Sequence, residues 1–169
     1  MTTTATPTQW VTAQRYEREC WMETHTTSEN DRSEYYERVF YNYRAIPAGP
    51  YAKVLEMGCG PFTQSRYISR VVDMGSITLV DPLIDDYLTL DRCAYRGGPT
   101  WVGDVETVKS KGEDFCRPGE FDMAVCINVL PHCQDAGRVV ANLVDSLKPG
   151  GALVFGEPFF PDGTKGSGM

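Results

Sequence analysis

Short apolar runs alternate with helix-like stretches along the sequence after Pro50. This alternation is typical of β–α units, in which helices connect parallel strands and pack on the faces of the sheet. Five strands are expected, at Lys53–Met57, Ser76–Asp81, Thr100–Val102, Phe121–Asn128 and Ala152–Glu157. Helices are expected between them, over Phe62–Met74, Leu83–Leu90 and Gln134–Leu147. The sequence therefore predicts an α/β fold with an open, mainly parallel sheet.

The first 50 residues have a different pattern. A threonine-rich tail precedes a polar and aromatic segment of good helix formers, from about Thr8 to Thr24. Asp31 and Glu34 have the spacing of a helix cap, and apolar residues follow at helical spacing at Tyr35, Tyr36, Val39, Phe40 and Tyr43. We therefore expect residues 1–50 to form a helical extension or lid, and residues 51–169 to form the sheet domain.

Charge and composition argue against several classes of protein. Sixteen Lys and Arg against 23 Asp and Glu give a net charge of −7, so the positive charge that binds nucleic acid is missing. No apolar run approaches the roughly 20 residues of a membrane span, and the start has no signal-peptide pattern, so we expect a cytoplasmic protein without membrane contact. The six cysteines include no C-x-x-C pair, and no metal site is expected.

The segment Val54–Phe62 reads as a strand, an acidic residue at its end and a glycine turn that leads into a helix. Gly58 and Gly60 allow the backbone to approach a ligand closely, and a helix start offers N–H groups to an anion. A tight turn that serves only packing is the alternative. The dinucleotide fingerprint G-x-G-x-x-G requires a third glycine where this chain has Thr63, which disfavours a nicotinamide or flavin cofactor.

Two acidic residues follow later strands. Asp81 ends the second strand, where a carboxylate can accept both hydroxyls of a ribose because neighbouring strand ends line one crevice. A simple strand-ending turn before Pro82 is the alternative. Asp104-Val105 follows the expected third strand and would either face the exocyclic amine of an adenine or cap a helix over Glu106–Lys111.

Two further segments complete an ordered set of motifs: Phe121–His132, FDMAVCINVLPH, and Leu147–Gly151, LKPGG. With these motifs the sequence resembles the class I S-adenosylmethionine-dependent methyltransferases, in particular the small-molecule methyltransferase domain of the ubiquinone-biosynthesis type. The resemblance extends from Val54 to about Pro158. It implies a Rossmann-like sheet and transfer of a methyl group to a small-molecule acceptor. With right-handed crossovers and the crevice beside the first strand, the expected strand order is 3-2-1-4-5.

The resemblance also implies which residues bind S-adenosyl-L-methionine. The glycine turn is expected around the methionine part, Asp81 at the ribose and Asp104 near the adenine. The full expected set is Glu56, Gly58, Cys59, Gly60, Asp81, Pro82, Asp104, Val105 and Asn128. Two departures stand out, since Phe62 replaces a third family glycine and the segment Asn128–Pro131 is not the N-P-P-aromatic motif of enzymes that methylate amino groups on bases or glutamine.

His132 is the candidate catalytic base, because an imidazole with an ordinary pKa of about 6.5 follows the fourth strand, on the crevice side in related proteins. A structural histidine bonded to the backbone of its turn is the alternative. Glu157, at the end of the fifth strand, would either position the acceptor or cap the strand.

The sequence stops at Met169, whereas the family fold adds a helix and an antiparallel pair of strands after the fifth strand. We therefore expect either a truncated version of the fold or a partner chain, such as a second copy in a homo-oligomer, that covers the exposed sheet edge, and weak or no activity as a monomer. An inactive module that binds the cofactor and a nucleotide-dependent oxidoreductase are the alternative functions. Binding of S-adenosylmethionine and not of NAD separates the methyltransferase and the inactive module from the oxidoreductase. Turnover separates the methyltransferase from the inactive module.

Overall fold

The computed structural model describes residues 6–23, 34 and 45–157. Helix α1 (Pro7–Met22) precedes strand β1 (Tyr51–Met57), the short helix α2 (Ser65–Ile68), strand β2 (Met74–Val80) and the short helix α3 (Ile84–Tyr87). The second half contains β3 (Asp104–Val108), β4 (Phe121–Ile127), a 3-10 turn (Leu130–His132), α4 (Ala136–Ser146) and β5 (Leu147–Gly156). None of the helices in this described part of the chain is long and apolar enough to cross a membrane.

The strands form one parallel sheet in the order β3-β2-β1-β4-β5, which confirms the expected topology. The strand order reverses beside β1, because β2 lies on one side of β1 and β4 on the other. Met57, Val80, Val108 and Cys126 lie level with one another at the carboxyl ends of their strands. These ends therefore border a single crevice, the usual place for a ligand in an open α/β sheet.

The core lies on both faces of the three central strands. One cluster includes Val54, Tyr67, Ile68, Leu79 and Met123. The other contains side chains from the opposite face together with α4: Leu55, Met57, Val80, Ala124, Cys126, Val139 and Leu143. Central parallel strands covered on both faces read as continuous apolar runs, which is why β1, β2 and β4 were correctly expected from the sequence.

The edge strand β3 lies later in the chain than expected. The sequence favoured Thr100–Val102, but Trp101 belongs to a loop in which its Nε1 donates a hydrogen bond to the Ala94 carbonyl, 3.3 Å away. The observed strand Asp104–Val108 has no fully buried residue. An edge strand with exposed faces lacks the apolar run that marks a central strand.

Three other boundaries differ from expectation. Helices α2 and α3 each contain only four residues, because the flanking residues continue as turns. Strand β5 begins at Leu147 instead of Ala152, since the LKPGG segment pairs with Phe121 through a register shift. The helix expected over Tyr35–Tyr43 and the two phenylalanines at 159 and 160 lie outside the described residues.

Helix α1 matches the amino-terminal helix expected from the sequence, and Thr6 caps it with Gln9 in a capping box. The helix lies against the carboxyl end of the sheet, where the Trp21 ring makes edge contacts with Phe62 and Tyr87 at centroid distances of 5.8 and 6.5 Å. Each of these two aromatic residues belongs to a segment that follows a central strand. Helix α1 therefore covers part of the crevice.

Candidate functional site

The turn after β1 contains two glycines, and glycine is needed at each position for a different structural reason. Gly58 has a φ of +69°, and a Cβ at this position would lie 2.5 Å from a methyl carbon of Val129. Gly60 has a φ of +55°, and a Cβ there would meet no atom within 4 Å. Gly58 is thus required for packing against the segment after β4, whereas the backbone of Gly60 borders open space that a ligand can approach.

Glu56 holds the loop that follows the glycine turn. Its carboxylate is 2% exposed and accepts hydrogen bonds from the backbone N–H groups of Gln64 and Ser65 at 2.8 and 3.0 Å. The hydroxyls of Thr63 and Ser65 also donate to it. Burial raises the pKa of Glu56, and these hydrogen bonds oppose the rise. The carboxylate is therefore engaged with the chain's own loop, and its contribution to the site is the shape of the turn.

Asp81 and the glycine turn are brought together, as the sequence predicted. Asp81 follows β2, is 7% exposed, and accepts hydrogen bonds from the N–H of Gly60 at 3.1 Å and from the N–H of Leu83 at 2.9 Å. Burial raises the pKa of Asp81 to about 6, although the two N–H donors lower it. Pro82 lies directly after Asp81 at the same end of the sheet. A buried carboxylate thus lies beside the open backbone of Gly60.

Asp104 and Val105 lie at the wrong end of the sheet for an adenine contact, which corrects the expectation. Asp104 begins β3 and pairs with Ser76, whereas the carboxyl end of this strand is Val108, level with Val80. Four residues of a strand separate Asp104 from that end by about 13 Å. The error follows from the shifted strand, because a residue expected after β3 is the first residue within it.

The segment that does lie at this edge of the crevice follows Val108 and includes Glu113. Glu113 Oε1 accepts hydrogen bonds from the N–H groups of Gln134 and Asp135, at 2.7 and 3.1 Å. The Asn142 side chain of α4 donates to the carbonyls of Gly112 and Glu113. Glu113 was not among the residues expected from the sequence, because DVETV has no apolar run to mark the strand that precedes it.

The ends of β4 and β5 are joined at Asn128 and Glu157. Asn128 has a φ of +58° and donates its N–H to the Gly156 carbonyl at 2.7 Å. Glu157 Oε1 accepts the N–H groups of Val129 and Leu130, at 2.9 and 3.2 Å. Its other oxygen, Oε2, is buried and has no hydrogen-bond partner among the described residues. One oxygen of Glu157 thus caps the segment after β4, and the other has no hydrogen bond within the described residues.

His132 closes the 3-10 turn after β4 and contacts helix α1. Its Nδ1 lies 3.0 Å from Glu17 Oε1. Glu17 raises the pKa of His132, burial lowers it, and the charges of Glu157 and Asp81 raise it further. The contact of the ring nitrogen is therefore with a carboxylate of the amino-terminal helix.

Cys59 is a buried part of the turn. Its thiol lies 3.8 Å from the Tyr95 hydroxyl, which in turn donates a hydrogen bond to the Gly60 carbonyl at 3.0 Å. Burial raises the pKa of Cys59 well above its ordinary value, so the thiol stays protonated. Tyr95, which the sequence analysis did not single out, fixes the turn through this contact. Within residues 6–23, 34 and 45–157, no group of three His, Cys, Asp or Glu side chains is arranged to hold a metal ion.

A family model described as a methyltransferase domain matches residues 55–155, more than half of the chain. A ubiquinone biosynthesis O-methyltransferase of Thiobacillus denitrificans is 32% identical over 104 residues, which cover 61% of this chain and 43% of that protein. A protein of the same name from Methylococcus capsulatus is 28% identical over 104 residues and is covered to 42%. The chain therefore spans less than half the length of these curated relatives.

Two solved structures share the fold. A SAM-dependent methyltransferase of Leishmania major superposes with a TM-score of 0.66 at 17% identity, over 89% of this chain and 62% of that one. The N-methyltransferase NodS of Bradyrhizobium japonicum in complex with S-adenosyl-L-homocysteine gives a TM-score of 0.61 at 20% identity, over 85% and 71%. At these identities the likeness establishes the fold alone.

Proposed function

The chain belongs to the methyltransferase domain family, and from this premise we propose that it transfers a methyl group from S-adenosylmethionine to a small-molecule acceptor. The observation that carries the proposal is the pairing of Asp81 with the backbone of Gly60 where the strand order reverses. In open α/β sheets this is the position at which a nucleoside is bound. In this proposal the glycine turn lies beside the amino-acid end of one elongated ligand, and the carboxylate lies beside its ribose.

The residues present fit such a cofactor. The open space beside Gly60 admits the amino-acid end of the ligand without a side chain in the way. Each oxygen of Asp81 accepts one backbone N–H and retains a further lone pair for a ribose hydroxyl. We assign the adenine side to the segment after Val108, which includes Glu113, and no longer to Asp104. Glu56 and Cys59 stabilise the turn through their contacts with Gln64, Ser65 and Tyr95.

When bound, S-adenosylmethionine would supply a methyl group carried on a positively charged sulfur, which would keep the electron pair of the carbon–sulfur bond. The chain's own residues then orient the acceptor and receive its proton. We place the acceptor between Glu157, whose Oε2 has no described partner, and His132. Orientation of this kind can contribute on the order of 7–11 kcal/mol to the rate. Because the Thiobacillus relative is named an O-methyltransferase, a hydroxyl acceptor is the first class to test.

We also propose that the protein is cytoplasmic and does not bind nucleic acid. None of the six cysteines, all of which lie in the described residues, forms a disulfide, as expected in a reducing compartment, and the net charge of −7 disfavours phosphate backbones. A second copy is proposed at the edge of β5, because Leu153 and Phe155 are 39% and 40% exposed and no described strand pairs beyond β5. Light scattering at micromolar concentration would contradict this pairing if it showed a monomer.

Thermal unfolding with added ligands tests the proposed cofactor. A ligand present at 100 times its dissociation constant stabilises the folded state by about 2.7 kcal/mol, or roughly 5–11 °C for a chain of this size. S-adenosylmethionine and S-adenosylhomocysteine are expected to raise the Tm, and NAD to leave it unchanged. A rise with NAD alone would support the oxidoreductase instead. Binding without turnover on any hydroxyl acceptor would support an inactive module.

A further inference from the structure

Helix α1 brings a carboxylate to the candidate base. Glu17 Oε1 lies 3.0 Å from His132 Nδ1, and the two side chains are 25% and 39% exposed. The distance is that of a hydrogen bond between a carboxylate and an imidazole. Because Nδ1 faces Glu17, the second ring nitrogen, Nε2, is the one left for another contact.

The position of Glu17 is fixed by contacts on either side of it along the helix. Arg18 Nε lies 3.0 Å from Asp86 Oδ1, and the ammonium of Lys111 lies 4.3 Å from the centre of the Trp10 ring. With the Trp21 ring contacts, these interactions attach three turns of α1 to segments that follow β1, β2 and β3. The pairing of Glu17 with His132 is therefore one of several contacts of a docked helix.

In the described part of the chain, the charged groups that raise the pKa of His132 come from three elements. They are Glu17 of α1, Glu157 after β5 and Asp81 after β2, and each favours the protonated ring. Glu17 makes the largest contribution, because it alone of the three accepts a hydrogen bond from the ring. The surroundings thus stabilise an imidazolium once it forms.

We propose that Glu17 is a positioning residue for His132. The Glu17 carboxylate accepts the Nδ1–H, and this leaves the Nε2 lone pair to receive the acceptor's proton. This inference rests on the proposed function. The proton moves from the acceptor's O–H to Nε2, and the electron pair of the broken O–H bond stays on the acceptor oxygen to bond the methyl carbon. The positive charge on the ring is then balanced by Glu17. A carboxylate that selects the histidine tautomer and stabilises its charged form is a general device of acid–base catalysis.

The pair also joins the amino-terminal helix to the turn after β4. Glu17 belongs to the amino-terminal helix, whereas His132 belongs to the sheet domain. The base is therefore complete only when α1 is docked.

Nitrogen NMR of ¹⁵N-histidine-labelled protein tests the pair directly. The chain has two histidines, His25 and His132, so His132→Asn assigns the spectrum. We expect neutral His132 to carry its proton on Nδ1, and we expect its pKa to fall in Glu17→Gln. The matched control is Glu19→Gln, which removes the same charge from the same helix where the carboxylate lies 3.8 Å from Arg15. This control should leave the titration of His132 unchanged.

A proton on Nε2 in the neutral wild-type ring would overturn the proposal, and this measurement is made on the wild-type protein. An unchanged His132 titration in a folded Glu17→Gln would overturn it too. The titration needs neither cofactor nor acceptor, so the absence of methyl transfer would refute the proposed function and leave the pair intact. In an active enzyme, Glu17→Gln should lower kcat with little change in KM and alter the acid limb of the pH profile. A pH profile equal to that of wild type would refute the positioning role.

Discussion

Burial of Asp81 should make the stability of the protein depend on pH. Its pKa is raised from 3.8 to about 6, chiefly because the carboxylate is removed from water. At 1.36 kcal/mol for each pKa unit, this rise corresponds to about 3 kcal/mol. Because the folded state holds the proton more tightly than the unfolded chain, the stabilisation is present below about pH 4 and is lost as the pH rises to about 6.

The substitution Asp81→Asn isolates this effect, since an amide does not titrate. Urea unfolding of both proteins is measured between pH 4 and pH 7, and the wild-type free energy of unfolding is compared with that of the variant at each pH. We expect this difference to fall by about 2.4 kcal/mol over the range, because part of the stabilisation is already lost at pH 4. The loss of one accepted hydrogen bond in the variant adds a constant offset of roughly 1–3 kcal/mol, which does not change with pH.

The matched control is Asp91→Asn, which removes a carboxylate that is 96% exposed. Its difference from wild type should stay within about 0.5 kcal/mol, as is usual for surface sites. A flat difference for Asp81→Asn would refute the reasoning, because it would mean that water reaches the carboxylate. Ligand hydroxyls that donate to Asp81 would favour its charged form, so the affinity for S-adenosylmethionine should rise over the same pH range.

Two further predictions concern the turn and the adenine side. Gly60→Ala should lower the free energy of unfolding by about 1–2 kcal/mol because of its left-handed backbone. Gly58→Ala should lower it by about 1–3 kcal/mol more, because the added Cβ overlaps Val129. Chemical unfolding compares the two variants, and equal losses of stability would contradict the packing role of Gly58. Asp81→Ala should weaken S-adenosylmethionine binding about five- to 150-fold, whereas Asp104→Ala should leave it unchanged; calorimetry decides, and a loss in Asp104→Ala would refute the corrected placement.

The central part of the fold could be predicted because burial on both faces leaves a continuous signal. β1, β2 and β4 are apolar along nearly their whole length, and the order of a parallel sheet follows from handedness once its strands are known. The edge strand β3 could not be located in this way. None of its residues is fully buried and only Val105 and Val108 are apolar, whereas the more apolar Trp101-Val102 packs in a loop. Because the strand was predicted too early in the sequence, Asp104 was wrongly expected to follow it and to contact the cofactor.

The residues of the candidate site could be predicted where they directly follow a strand in the sequence. They could not be predicted where tertiary contacts alone bring them to the site. Gly60 and Asp81 each follow a strand, and the topology alone brings them together. Glu17 carries no such local signal, because a glutamate in a polar helix is usually solvated. Only the docking of α1 against the carboxyl end of the sheet places its carboxylate on His132. The pairing is a property of the assembled fold.

The charges of the crevice favour a cationic ligand over a neutral one. Glu17 and Glu56 each raise the pKa of Asp81, so the carboxylates at this end of the sheet disfavour one another's ionisation. A positive charge placed among them relieves that repulsion, and the low dielectric constant of a covered crevice strengthens the attraction. The proposed methyl donor is a sulfonium, and its demethylated product has lost that charge. Under the proposed function, these carboxylates would therefore hold the charged donor more tightly than its uncharged product.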